Sequence, residues 1–273
     1  MQSGISQTGI STRTIAIGIR TALYSAHRRA TAIAAVLLTL GLTSGLCHAS
    51  SSSDSSTQAV DSGSFAVIIN GKRVATEKFS IQQNSGGSVI TSEFDADGNG
   101  DAAAQSSELQ LTPAGELRKY AWREIRPGKA QFTVYPTNDF LMERYSSSPQ
   151  EKEIEQPFLL PNSTSMLDDY SFVQREILAW RYLASGCRQD KGQLACPLHQ
   201  KTMFGSLNPH ARNSMSVSIE YAGREKVTIH GGERELIRLD LKSDAGDWAL
   251  WLDDQFKLQR IVVPGENIEV VRD

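Results

Sequence analysis

The first fifty residues of this 273-residue chain hold no Asp, Glu or Lys; Asp54 is the first acidic residue and Lys72 the first lysine. Several chemical signatures are missing as well. There is no Gly-x-Ser-x-Gly elbow, no His-Glu-x-x-His helix and no Gly-x-x-x-x-Gly-Lys phosphate loop, which removes the common hydrolase, zinc-protease and nucleotide-binding readings. Only three cysteines occur, and none forms a Cys-x-x-Cys pair of the kind that structural zinc needs. Neither a metal nor a cofactor is expected. Concentrated positive charge is lacking too: once the four arginines before residue 50 are set aside, 24 basic side chains face 31 acidic ones, a net charge near −7. Nucleic acid and anionic membrane surfaces, which require a basic face, are therefore disfavoured as main partners.

What the opening segment does contain is ordered. Arg28 and Arg29 precede an apolar run from Ala30 to Leu46, and Cys47-His48-Ala49 opens onto a serine tract. A basic stretch, a short apolar core and a small residue before polar sequence describe a secretory signal peptide, expected over residues 1–49 with cleavage after Ala49. The run is about seventeen residues long, at the lower edge of a bilayer span, so an uncleaved anchor is the alternative. The expected location is the bacterial periplasm or the outside of the cell. Residues 50–64, rich in serine and free of aromatics, read as a disordered tether.

With the leader gone, Cys187 and Cys196 remain as an even pair around a polar loop with Gly192 in its turn. Oxidising surroundings and this spacing predict a disulfide over 187–196. On the chain-entropy account a loop this short stabilises the fold by about 2 to 3 kcal/mol.

From Phe65 onward the pattern has a period of two. Phe65, Val67 and Ile69 lead into Asn70-Gly71, the pair best suited to a type I′ hairpin turn, and Phe79 and Ile81 follow on the return strand. Further strand-like segments alternate with turns at Pro113-Ala114-Gly115, Pro127-Gly128, Ala222-Gly223, Gly231-Gly232, Ala245-Gly246 and Pro264-Gly265. Such spacing predicts a mainly β chain, a large curved antiparallel sheet or partial barrel formed as one domain over 65–273. One segment differs. After Asp168-Asp169, read as a helix start whose carboxylates suit the positive end of the dipole, Val173, Ile177, Trp180 and Ala184 recur at helical spacing. An inserted amphipathic helix is expected over 168–185, covering the sheet, with Arg181 and Tyr182 pointing outward.

The closing sequence Trp248-Ala-Leu-Trp-Leu-Asp-Asp-Gln-Phe-Lys-Leu-Gln-Arg-Ile261, the hairpin at Asn70-Gly71 and the helix around Leu178-Ala-Trp-Arg-Tyr-Leu183 resemble uncharacterised secreted bacterial proteins. These are similar in outline to the lipoprotein-carrier (Lol-type) fold. The resemblance implies a curved antiparallel sheet wrapped around an apolar ligand, with helices plugging the concave side, and it carries no catalytic residue.

The candidate sites follow from this outline. Val173, Ile177 and Trp180 on the helix, with Trp248 and Trp251 on a late strand, are the candidate binding residues for an acyl chain or lipid. Trp248 and Trp251 are three residues apart, so they lie on opposite faces of a strand and only one can meet the helix. Asp95, Asp97, Asn99 and Asp101 match the early positions of a calcium loop, but Ser106 stands where a bidentate Glu is needed, and a hairpin loop is the competing reading. The histidines His199, His210 and His230 are far apart and read as surface or turn residues. The chain thus reads as a noncatalytic envelope protein holding an apolar ligand. The alternatives are a structural or protein-interaction module with a solid core, or a hydrolase with an unrecognised acidic site.

Overall fold

The computed structural model describes residues 56–98, 102–190 and 193–273. The leader and Asn99 and Asp101 of the acidic loop lie outside them.

Eight strands rise in chain order: β1 (Gln58–Ile69), β2 (Lys72–Asn84), β3 (Gly87–Ala96), β4 (Ala104–Leu111), β5 (Leu117–Arg126), β6 (Gln131–Pro136), β7 (Leu141–Ser146) and β8 (Ile154–Phe158). A short β9 (Ser165–Met166) leads to the helix α1 (Val173–Gly186), and a small hairpin follows, β10 (Arg188–Asp190) with β11 (Gln193–Ala195). Six more strands complete the sheet: β12 (Lys201–Asn208), β13 (Asn213–Ile229), β14 (Gly232–Ser243), β15 (Gly246–Leu252), β16 (Leu258–Val263) and β17 (Ile268–Arg272).

Fifteen of these strands form one open sheet in the order 8-7-6-5-4-3-2-1-17-16-15-14-13-12-9. Each half is a meander of sequence neighbours. The halves meet where β1 pairs antiparallel with β17, Phe65 opposite Arg272 and Ile69 opposite Ile268. The pairing of β9 with β12 is parallel. Brief turns dictate the rest, because strands joined by a few residues can only return beside their predecessor. At Asn70 and Gly71 the backbone is left-handed, φ 52° and 73°, as a two-residue hairpin of this type demands.

Alternation along the strands sorts the faces. Phe79 and Ile81 on β2, Ile90 and Phe94 on β3, Leu109 on β4, Tyr120 on β5 and Val134 on β6 are all buried in one core with Val173, Leu178, Ala179, Tyr182 and Leu183 of α1. The helix lies in the hollow of the sheet. A second, smaller apolar cluster joins Val227, Ile229, Leu236, Ala249, Trp251 and Val271.

Three expectations need correction. Strand β1 starts at Gln58, inside the stretch expected as a tether. Its backbone pairs with β2 there, and Asp61, only 5 % exposed, is held by Arg272. The helix begins at Val173 rather than at residue 168, because the side chain of Asp168 is engaged elsewhere and residues 169–171 form a turn. Tyr182 points into the core and is fully buried, while Ala184 is exposed, so the apolar stripe is rotated toward Leu178, Ala179 and Tyr182. The Tyr182 hydroxyl accepts the Tyr221 N–H at 2.9 Å and donates to the Gln200 carbonyl at 3.1 Å, which is how a buried phenol keeps its polar end satisfied.

Cys187 and Cys196 form a disulfide that closes the β10–β11 hairpin directly after the helix.

Candidate functional site: a buried polar cluster at the helix start

The first turn of α1 is buried on every side, Gln174, Arg175 and Glu176 included. Charged residues in such a place must find partners, or burial is prohibitive. Most do. Phe172, at the N-cap, offers no side-chain cap. The carboxylate of Glu77, projecting inward from β2, replaces it, accepting the N–H of Phe172 at 2.8 Å and of Val173 at 3.2 Å. The hydroxyls of Ser92 (2.6 Å) and Ser171 (3.2 Å) donate to the same carboxylate. A helix start leaves its first N–H groups unpaired and carries partial positive charge, so an acceptor borrowed from a neighbouring strand both satisfies and orients it. Burial pushes the Glu77 carboxyl up to about 7 against the pull of these donors.

Beside it, Asp168 gathers a second set. The Tyr120 hydroxyl donates to Asp168 Oδ2 at 2.5 Å, His210 Nδ1 lies 3.0 Å from the same oxygen, and the Tyr170 N–H reaches Oδ1 at 2.8 Å. Gln174 Oε1 accepts the Asp168 N–H at 2.7 Å. The Arg175 guanidinium donates to the carbonyls of Asp168 and Ser171 and lies 4.7 Å over the ring of Trp248. Asp169 accepts from the Asn208 amide at 2.8 Å.

Burial works to raise Asp168, but the charge and hydrogen bond of His210, with the Tyr120 and Tyr170 donors, outweigh it and hold the carboxyl below its usual range. Burial likewise works against His210 ionising, and the Asp168 charge and hydrogen bond overcome it, so His210 is raised. The two form an ion pair. Burial and the neighbouring Asp168 charge keep Tyr120 a neutral phenol.

The imidazole sits edge-on among Trp122 (4.5 Å), Tyr170 (4.9 Å) and Phe132 (5.0 Å). Next to it, Arg212 from the same β12–β13 turn pairs with the buried Glu143 of β7 at 3.1 Å and lies 4.8 Å over Tyr145. This turn therefore plugs the open end of the hollow and ties one edge region of the sheet to the other.

A base needs a nucleophile within hydrogen-bond reach and a reacting atom beside it. Among the described residues His210 Nε2 is buried without a hydrogen-bond partner, and its ring is surrounded by aromatic carbon. The arrangement can hold charge in place.

Of the residues expected to bind an apolar ligand, Val173 (0 % exposed) and Trp248 (6 %) lie in the core on the helix side. Ile177 and Trp180 are half-buried at its rim, the Trp180 N–H donating to the Phe256 carbonyl at 2.6 Å. Trp251 is on the opposite face, in the second cluster, its N–H on Glu225 Oε2 at 3.1 Å and its ring flanked by Arg238 and Arg260. Four of the five thus border one core, and Trp251 lies apart from them.

A space of about 10 Å³ lies between helix and sheet, lined by Leu109, Met166, Gln174, Ile177, Leu178 and Arg181. It holds one water-sized molecule. Larger hollows open on the other face of the sheet. One of about 440 Å³ is lined by Thr91, Glu93, Ser106, Glu108, Arg123 and Gln131. Another, of about 430 Å³, is lined by Lys119, Thr133, Tyr135, Arg144 and Glu153. Their side chains alternate with the buried Ser92 and Phe132 and so face away from the core.

His210 does lie in a turn, as expected, but it is largely covered and paired with Asp168, 42 residues earlier, which no local pattern announces. Glu77 was within reach of sequence reasoning: it occupies an inward register between Ala75 and Phe79, where an acid signals a buried partner. Asp95 is engaged by Arg126 at 2.6 Å, and among the described residues no group of three or more His, Cys, Asp or Glu could hold a metal. Nor is any described helix long and apolar enough to cross a membrane.

No family model matches the chain, and no curated protein does. A solved structure is similar to it, a β-barrel-like protein of a domain of unknown function (DUF1849) from Brucella abortus. That likeness has a TM-score of 0.47 and 9 % identity over 78 % of this chain and 94 % of the other.

Proposed function

We propose that this chain is a noncatalytic envelope module with a solid interior, which works by docking to another component of the envelope through its outer surface. The observation that carries the reading is the filled hollow. Val173, Leu178, Ala179, Tyr182 and Leu183 occupy the concave side where a carrier would hold an acyl chain, and the space beside them among the described residues is about 10 Å³. Ligand pockets for molecules of that size run from about 300 Å³ upward. An apolar ligand seated where these side chains lie would have to displace the helix, and with it the hydrogen bonds of Glu77 to Phe172 and Val173. Export is supported by the disulfide, which persists in oxidising compartments, and by the leader-like sequence before residue 50.

The test is mass spectrometry of an organic extract of the protein purified from the envelope of its native cell. The expected result is no lipid in stoichiometric amount, with crosslinking in intact cells joining the outer residues Arg123 or Lys119 to one reproducible envelope protein. A single lipid species recovered one-to-one overturns the reading in favour of a carrier.

A further inference from the structure

Glu176, in the first turn of α1, is 0 % exposed, and among the described residues neither of its carboxyl oxygens has a hydrogen-bond donor. Its situation is the reverse of that of Glu77, which collects four. What faces Glu176 instead is another acid, Asp61 of β1. Asp61 is itself fully committed. Arg272 of β17 grips it with two hydrogen bonds, Nη1 to Oδ2 at 2.9 Å and Nη2 to Oδ1 at 2.8 Å, and Lys257 Nζ lies 3.0 Å from Oδ1. The Arg272 guanidinium rests 5.2 Å over the ring of Phe79 and donates also to the carbonyls of Ser62 and Leu258. Asp253 stands behind, close enough to act on Arg272, and takes the Gln259 amide at 2.8 Å. The N–H of Leu258 faces Glu176 without reaching hydrogen-bond geometry.

Both cations therefore bond Asp61 and neither bonds Glu176. A carboxylate in the place of Glu176 would be buried, unpaired and next to another negative charge, the costliest arrangement a core can hold. A carboxylic acid there has a natural partner, since its O–H can donate to an oxygen of Asp61 in the way that two acids sharing a site divide one proton.

We propose that Glu176 and Asp61 share a single proton, carried on Glu176 and donated to Asp61, and that this proton fastens α1 to the junction of β1 and β17, so that alkaline conditions release the helix from the seam joining the two halves of the sheet. On release the proton passes to hydroxide and leaves two facing carboxylates with two cations already spoken for. Burial, and then the Asp61 charge, push the Glu176 carboxyl up to about 9. In the unfolded chain it titrates near 4.5. The fastening is thus complete below pH 4.5 and is lost as pH rises through 9, because over that window the folded chain binds the proton and the unfolded chain does not.

The experiment compares the full exported chain with Glu176→Gln, which keeps the shape and supplies an amide donor to Asp61 but cannot ionise. When urea unfolds the protein at pH 7 in weak buffer, the wild type is expected to release about one proton more than the variant. Its thermal midpoint should fall more steeply than that of the variant between pH 7 and pH 10. A difference infrared spectrum between pH 7 and pH 10 should show, beyond the Glu77 contribution common to both proteins, a buried-acid carbonyl band that the variant lacks. Equal proton release and parallel midpoint profiles would overturn the proposal. Should Glu176→Gln fail to fold, Asp61→Asn serves instead: it frees Arg272 and Lys257 for Glu176, so the band must shrink at pH 7 to what Glu77 alone gives, and an undiminished band refutes a proton shared with Asp61.

Discussion

Trp248 and Trp251 are three residues apart on β15 and equally buried, each 6 % exposed, yet they belong to two regions built on different plans. Trp248 faces the hollow and is covered by a helix brought in from the middle of the chain, with the Arg175 guanidinium on its ring. Trp251 faces the other way. It is covered by the sheet's own material: β14 pairs with β15 only from Ile237 to Ser243, and the overhanging end of the β13–β14 hairpin bends across the outer face. A bulge between Tyr221 and Gly223, with Gly223 at φ +115°, gives the long strand the coil it needs. His230 at the hairpin tip bonds the Arg272 carbonyl at 2.6 Å, and Arg234 reaches Gln259 at 3.0 Å. The inner cover is a separate helix whose first turn is held by the buried carboxylate of Glu77. The outer cover is a ribbon that can follow a shrinking neighbour.

That difference is open to attack, and the strongest blow falls on the inner side. Trp248→Ala is expected to lower stability by about 4 to 5 kcal/mol and Trp251→Ala by about 2 to 3, both read by urea denaturation, since cavity cost depends on how far the surroundings collapse. Equal losses would show the two covers to be alike. Removing the lock itself should cost nearly as much: Glu77→Ala leaves the N–H groups of Phe172 and Val173 buried and unpaired, a loss of about 3 kcal/mol, with helix content falling first in a circular dichroism melt. Replacing Cys187 and Cys196 by serine acts below the helix end and should cost about 2 to 3 kcal/mol, leaving the environment of Trp251 unchanged by fluorescence.

The smallest effect is the most specific. His210 is raised above its ordinary 6.5 by Asp168, so its ion pair contributes fully below pH 6.5 and fades as pH rises through the folded value. His210→Gln should therefore cost about 1 to 2 kcal/mol at pH 6 and less at pH 8, measured as paired denaturation curves. A pH-independent loss would mean that the ring acts only as a wedge between Trp122 and Phe132.

The sheet was legible where local chemistry decides structure. Asn70-Gly71 can close a hairpin whatever lies around it, and the opposite facing of Trp248 and Trp251 follows from alternation alone. Strands β7, β8 and β12 are not legible in this way because their patterns are mixed: Pro157 interrupts β8, and β12 runs from an exposed half to the consecutive buried residues Ser206, Leu207 and Asn208. Tyr182 was placed on the wrong face because a helix enclosed by a curved sheet buries more than one stripe, and a phenol with two partners is at home inside. The polar cluster was invisible for a further reason. Its members come from β2, β5, the turn before α1 and the turn after β12, and only the closed fold brings a histidine at 210 to an aspartate at 168.

The pairing of β1 with β17 has a consequence for biogenesis. A chain delivered with β1 leading can zip β1 through β8 from neighbouring contacts as they emerge, but the free edge of β1 stays bare until residues 268–272 arrive. For most of its delivery the protein therefore shows a sticky backbone edge to its surroundings. The moment of protease resistance should coincide with emergence of the final strand.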